Sequence, residues 1–244
     1  MIASLPMYTR PENTDAHDRY WQLISIELNK RGIDAPSQLS ICEDDDHWLR
    51  GDLVFSQTCG MPYRLFLHGH AQLIGTPDYG LPDCAAGYYN SIFIINAQDK
   101  RTKLLDFASA NLAITCKTSQ SGYAAPLNEA AKAGFHFKTQ TLSGGHVNSA
   151  KMVASGEVDI TAVDAMTWHN IRKYGDFAGQ LKVIAQTDPT PGLPYICALG
   201  LDKTVIAQAV TNAIAALSNE DRECLNIRGL IQIPSADYLA VQNP

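Results

Sequence analysis

The sequence predicts an α/β protein built as two lobes, each a mixed sheet flanked by helices. Three observations carry that prediction. Apolar runs of strand length alternate with helix-period segments along the chain. The alternation falls into two independent sets, with the residues able to do chemistry placed where strands end. The length of 244 residues allows one large or two small domains with enough buried surface for a core.

Ile2 to Pro6 reads as a short buried strand. Ala16 to Arg31 reads as an amphipathic helix with Trp21, Leu23, Ile24 and Leu28 available to one face, and Gly32 ends it. Leu39 to Cys42 is expected as a second strand, the acidic run Glu43-Asp44-Asp45-Asp46 as a loop, and Leu53 to Ser56 as a third strand. Ala71 to Gly75 and Ser91 to Asn96 are the next strands, with turn-rich Thr76 to Pro82 between them.

Leu112 to Thr115 reads as a strand and Ala124 to Ala133 as a helix. A strand at Phe137 to Leu142, a helix at Val147 to Ser155 stopped by Gly156, a strand at Val158 to Asp164 and a helix at Met166 to Tyr174 follow. Leu181 to Ala185 is a further strand. The three prolines of 187–194 then interrupt regular structure before apolar Tyr195 to Leu199, as a crossing between lobes would. Helices are expected at Lys203 to Ser218 and Asn219 to Leu225, with a closing segment at Tyr238 to Val241.

The most informative motif is Thr118-Ser119-Gln120-Ser121-Gly122-Tyr123, set between the strand at 112–115 and the helix at 124–133. Small hydroxyl residues and a Gly at a strand-to-helix junction free backbone N–H groups at a helix N-terminus, where the helix dipole adds positive charge. A phosphate, phosphonate, sulfonate or carboxylate fits such a cradle. Ser119 or Ser121 as a plain helix cap explains the same residues. Ser56-Gln57-Thr58-Cys59-Gly60, Gly144-Gly145-His146 and Asp164 also stand at strand ends.

A net charge of -6 gives no general attraction to nucleic acid or to an anionic membrane, so neither is expected as a partner, and an anion has to be held locally. No stretch reaches the apolar length of a membrane-spanning helix. The six cysteines, at 42, 59, 84, 116, 197 and 224, show no Cys-x-x-Cys pair and are expected as free thiols. Neither a cofactor nor a metal site is expected. His68-Gly69-His70 lacks further ligands, and Asp44 to Asp46 reads as a solvated loop.

Taken in order, Phe55-Ser56-Gln57-Thr58-Cys59-Gly60, Tyr88-Tyr89-Asn90-Ser91 leading into Ile92 to Ile95, and Thr118 to Tyr123 resemble the substrate-binding proteins of phosphate, phosphite and phosphonate ABC transporters, of the type II periplasmic-binding-protein fold. His146, Gly156-Glu157-Val158-Asp159, Val163 to Trp168 and Pro189 to Pro194 extend the match along nearly the whole chain.

The resemblance implies two lobes, residues 1–87 plus 194–244 and residues 88–193, with a ligand clamped in a cleft between them. It implies a monomer that captures a small anionic ligand and serves an ABC permease. Ser119, Gln120, Ser121, Gly122, Tyr123 and His146 would hold the anionic head, with Tyr89 and Ser91 contacting it from the crossover and Tyr8 and Gln57 from the facing lobe. Family members that bind aminoalkylphosphonates carry acidic groups where this chain has Leu193 and Met166, which argues against an amino-bearing ligand; Asp164 is a substitute acid. With Tyr8, Tyr89, Tyr123 and Trp168 at hand, an anion with an apolar or aromatic body fits as well as a simple phosphonate.

The chain opens on Met1-Ile2-Ala3-Ser4-Leu5 with no basic and then apolar leader, so a periplasmic location is expected if a leader was removed and a cytoplasmic one if the chain is complete. Two other classes stand beside the transport reading. One is an enzyme of the same fold, of the cofactor-biosynthesis type, with Cys59 as nucleophile and His47 or His146 as base. The other is a stand-alone metabolite-sensing domain.

Overall fold

A computed structural model describes every residue except Glu43. The elements in chain order are β1 (Ile2–Ala3), α1 (Thr14–Lys30), a 3-10 turn (Asp45–Leu49), β2 (Leu53–Gln57), the single turn α2 (Gly60–Pro62) continued by Tyr63–Leu67, β3 (Ala71–Asp78), β4 (Tyr88–Tyr89) and β5 (Ser91–Asn96). Then follow β6 (Asn111–Ile114), a π-type turn (Gln120–Ala124), α3 (Ala125–Lys132), β7 (Thr139–Leu142), α4 (His146–Ser155), β8 (Ile160–Asp164) and α5 (Ala165–Tyr174). The chain closes with β9 (Leu181–Gln186), β10 (Thr190–Pro191), β11 (Tyr195–Ala198), α6 (Lys203–Ala216), α7 (Asn219–Leu225), β12 (Gly229–Ile231) and α8 (Ser235–Leu239).

The chain divides into two compact units, Met1–Tyr88 with Pro191–Leu239, and Tyr89–Thr190 with Ala240–Pro244. The first is built on a five-stranded sheet ordered β1-β2-β11-β3-β12. Strand β11 lies between β2 and β3 and is antiparallel to both, which is why residues after 190 complete a sheet begun before residue 80. On one face Phe55 stacks on Trp21 of α1 at 5.7 Å and meets Tyr195 at 4.6 Å. Trp48, Leu53, Tyr63, Leu67 and Tyr238 form another buried cluster. A polar network is enclosed here too. The Trp48 ring N–H donates to Ser56 Oγ at 3.1 Å, Ser56 and Ser4 Oγ stand 2.7 Å apart, Ser4 Oγ reaches His47 Nε2 at 3.1 Å, and His47 Nδ1 reaches the Asp44 carbonyl at 2.6 Å. Every link can be satisfied in one direction, the condition for burying polar groups at low cost.

The second unit carries the sheet β7-β6-β8-β5-β9. Strands β7, β6 and β8 run parallel, while β5 is antiparallel to both β8 and β9. Strands β5 and β8 are buried almost end to end, so they read as continuous apolar runs. Phe93, Ile95, Phe107, Leu112, Phe135, Phe137 and Ile160 form the core beneath the helices. Both sheets are mixed and flanked by helices, as the sequence predicts.

Five local expectations are corrected. Residues 39–42 form no strand: their backbone link to β1 is the single bond from Ser40 N–H to the Ala3 carbonyl at 2.6 Å, and Ile41 is 98% exposed. The strand expected over 2–6 stops at Ala3. Thr76, Pro77 and Asp78 extend β3 instead of turning, because Gly229–Ile231 pairs with them. The β11 ladder ends at Gly75, so Pro77, which has no N–H to give, has a strand on one side only. Asp44 to Asp46 are exposed, as a solvated run would be, but not irregular: the Asp44 carboxylate accepts from Asp46 N–H and caps the 3-10 turn; Glu43, placed in that loop by the sequence reading, lies outside the described residues. The expected closing segment at Tyr238 begins inside α8.

Candidate functional site

The candidate site is built at the carboxyl ends of β6 and β8. After β6 the chain makes a tight loop, with Ser119 N–H bonded to the Cys116 carbonyl at 3.2 Å, and enters the helix through a π-type turn in which Ala124 N–H bonds the Ser119 carbonyl five residues back at 3.0 Å. Such widened turns occur often at functional sites. Ser119 Oγ accepts from Gly122 N–H at 3.0 Å, so Ser119 is the helix cap. An accepting hydroxyl keeps its own proton to donate, so the cap and cradle roles coexist. The first-turn N–H groups of Ser121 and Tyr123 have no preceding helical turn to bond.

Gly122 is needed here for space. A Cβ on it would stand 2.6 Å from Thr115 Cγ2 and 3.0 Å from His146 Cε1. Thr115 closes the loop from below, its N–H bonded to the Gly122 carbonyl at 3.4 Å and its carbonyl accepting from Gly144 N–H at 3.0 Å. That second bond, with Ser143 N–H to the Ile114 carbonyl at 2.9 Å, ties the start of α4 to the end of β6. His146, the first residue of α4, is thereby set beside the cradle.

Three functional side chains converge. Ser121 Oγ stands 2.9 Å from His146 Nε2, and Asp164 Oδ2 stands 3.5 Å from the same nitrogen. Asp164 ends β8 and caps α5, accepting from Thr167 N–H at 2.8 Å and from the Thr167 hydroxyl at 2.6 Å. A carboxylate only accepts, so it favours a proton on Nε2. Ser121 Oγ then accepts from the ring and keeps its own O–H to donate. Burial holds the His146 pKa below the ordinary histidine value, with the Asp164 carboxylate and the Ala162 carbonyl pulling the other way.

This arrangement does not have the wiring of a hydrolytic triad, in which serine and carboxylate bond opposite ring nitrogens and the histidine relays a proton between them. Here both address Nε2, and His146 Nδ1 is buried with no hydrogen-bond partner. The two histidines expected as bases for Cys59 are engaged with other groups: the His47 ring with Ser4, Ser56 and the Asp44 carbonyl, and the His146 ring with Ser121 and Asp164. Among the described residues no three His, Cys, Asp or Glu side chains converge as metal ligands. His68 and His70 are exposed.

The second unit thus brings together Ser119, Gln120, Ser121, Gly122, Tyr123, His146 and Asp164. Ser91, the first residue of β5, is in register with Asp164 and bonds through its backbone to Thr187, its N–H meeting Thr187 Oγ1 at 3.0 Å. Tyr89 precedes it in β4 and is buried. Gln120 is buried, and the Tyr123 ring packs partly against the core. Tyr8 and Gln57 belong to the first unit. The Tyr8 ring meets Tyr79 edge to face at 5.1 Å. Gln57 donates from Nε2 to the Tyr79 hydroxyl and to the Leu193 carbonyl, each at 3.1 Å. Met166 and Leu193 are buried.

The sequence reading missed Thr115, Thr167, Asn90 and Asn170. Thr167 fixes Asp164. Thr115 Oγ1, Asn90 Oδ1 and Asn170 Oδ1 are buried without a hydrogen-bond partner. The available signal was position alone: Thr115 directly follows β6, and Asn90 directly precedes β5.

Comparison with known proteins agrees with this architecture. PhnD1 from Prochlorococcus marinus, solved in complex with methylphosphonate, superposes with a TM-score of 0.73 at 18% identity, over 97% of this chain and 93% of that one. A Xanthomonas citri protein bound to ATP gives 0.71 at 15% identity, over 97% and 92%. A binding-protein component of a Pseudomonas aeruginosa ABC phosphonate transporter gives 0.69 at 17% identity, over 94% and 80%. At these identities the likeness shows the two-lobed periplasmic-binding-protein fold. No curated protein sequence matches the chain. The family model described as ABC transporter, phosphonate, periplasmic substrate-binding protein matches residues 50–238, which include the cradle, His146 and Asp164. The chain belongs to the family of periplasmic substrate-binding proteins of phosphonate ABC transporters.

Proposed function

We propose that this chain is the receptor for a small phosphonate- or phosphate-class anion without an ammonium group, bound at the cradle of residues 119–123 and delivered to an ABC permease at the periplasmic face. What supports this reading is one turn that carries the Ser119 and Ser121 hydroxyls and the first-turn N–H groups of Ser121 and Tyr123, with His146 bonded to Ser121. These groups hold negative charge without a lysine or arginine. Tyr89 and Ser91 are the proposed further contacts in the same unit, and Tyr8 and Gln57 the proposed contributions of the first unit. The Asp164 carboxylate is already engaged by Thr167 and His146, which leaves it fewer acceptor positions for an ammonium. Buried Met166 and Leu193 add no charge to receive one.

Thermal-shift screening against phosphate, phosphite, methylphosphonate, 2-aminoethylphosphonate, methanesulfonate and benzoate tests the proposal, with calorimetry on each hit. A ligand that binds only the folded chain raises Tm by mass action. A shift with methylphosphonate or phosphate that Ser121→Ala removes supports the reading. Binding of 2-aminoethylphosphonate alone, or no shift with any of the six, overturns it.

A further inference from the structure

We propose that Thr115 is a positioning residue for His146, its hydroxyl serving Nδ1 of the ring in both protonation states. The proposal rests on the anion-receptor reading only for its consequence, not for the contact itself. Thr115 is 5% exposed, and its Oγ1 has no hydrogen-bond partner. His146 Nδ1 is the other buried polar atom of this corner without one. Thr115 Oγ1 and the His146 ring carbon Cε1, which is bonded to both ring nitrogens, lie within 3.0 Å of the point where a Gly122 Cβ would stand. Two unsatisfied groups buried around one glycine are costly separately, and a small shift or one bridging water makes them complementary.

The direction follows from the other side of the ring. Asp164 keeps a proton on Nε2, so the neutral ring presents a bare Nδ1, to which only a donor is useful; the Thr115 O–H is that donor. When an anion at the cradle draws a second proton onto the ring, Nδ1–H needs an acceptor, and the same hydroxyl rotates to accept. The Ala162 carbonyl acts on the ring as well, but it only accepts, so it serves a ring nitrogen that carries a proton and never a bare one. Asp164 on β8 is the charged group acting on His146; the cradle contributes Ser121 and β6 leads into Thr115, both uncharged. The hydroxyl lets a buried imidazole change charge without leaving Nδ1 unpaired in either state.

The test is 15N NMR of the His146 ring in the ligand-free protein across pH, comparing wild type, Thr115→Val and Thr115→Ser, followed by titration with methylphosphonate in two buffers of different ionisation enthalpy. Wild type and Thr115→Ser are expected to hold mainly the Nε2–H tautomer. Thr115→Val is expected to shift the ring towards Nδ1–H, to lose proton uptake on binding, and to bind about five- to tenfold more weakly, the scale of one hydrogen bond. Identical tautomer populations and titration in wild type and Thr115→Val would overturn the proposal. Should the valine variant fail to fold, Thr115→Ser against Thr115→Ala gives the same comparison. If wild type binds no anion while the tautomer still depends on Thr115, the receptor reading falls and the positioning role stands.

Discussion

Ser121 Oγ and His146 Nε2 stand 2.9 Å apart across two loops that follow different strands of one sheet. The serine comes from the turn after β6 and the histidine from the helix after β7, so the pair exists because parallel strands deliver their carboxyl ends side by side. Asp164 stands 3.5 Å from the same nitrogen and, as an acceptor, favours a proton there for Ser121 Oγ to accept.

Ser121→Ala removes that donor and is expected to weaken anion binding by about 1–3 kcal/mol, the range for an unmade hydrogen bond to a charged group. Stability should change far less, because the helix cap is Ser119 and not Ser121. Calorimetry for affinity and urea unfolding for stability separate the two effects. An unchanged affinity removes Ser121 from the site.

Gly122→Ala is expected to destabilise the fold by about 1–3 kcal/mol, the usual result of overpacking. The added Cβ meets Thr115 and the His146 ring on two sides, and both are tied to backbone by β6 and α4. A lower urea midpoint with an unchanged m-value is the expected observation.

Asp164→Ala removes the cap of α5 and should cost about 0.5–2 kcal/mol. Asp164→Asn keeps an oxygen for Thr167 N–H but removes the charge that favours protonated His146. The asparagine variant is therefore expected to fold nearly as well as wild type while titrating His146 at still lower pH. NMR of the ring measures that shift directly.

Burial holds His146 and His17 below the ordinary histidine pKa in the folded chain. Between the folded and ordinary values the unfolded chain binds protons that the folded one refuses, so stability is full above the ordinary value and is lost as pH falls through that window. His146→Gln should flatten part of the dependence and leave the His17 part. A bound anion acts in the opposite sense at His146, so the Tm gain from a saturating sulfonate, whose own charge does not titrate there, should grow as pH falls. Tm measured across that window with and without ligand checks both signs.

Methylphosphonate is expected to bind more tightly than 2-aminoethylphosphonate by about tenfold or more, equivalent to 1.4 kcal/mol. The buried ammonium finds the Asp164 carboxylate already engaged and Met166 apolar. Competition calorimetry decides the order.

What the sequence by itself determined were the features written in neighbouring residues. The strand at Ser91–Asn96, the helix spanning Thr14–Lys30 and the stop at Gly156, which adopts a φ of 79°, each follow from local periodicity or from a residue with special backbone freedom. The cradle was legible for the same reason, since a hydroxyl-rich turn before a helix is a local pattern. Tertiary structure alone decided what depends on partners far away in the chain. Thr76 to Asp78 became strand because Gly229 to Ile231 lies beside them, and Ile41 was left in solvent because no ladder formed along 39–42. The site followed the same division. Ser121, His146 and Asp164 were each visible as strand-end residues, but only the order β7-β6-β8 brought them to one ring nitrogen, and only packing beneath Gly122 gave Thr115 a buried hydroxyl with no partner of its own. Hydrogen-bond geometry depends on distances that the chain order does not contain.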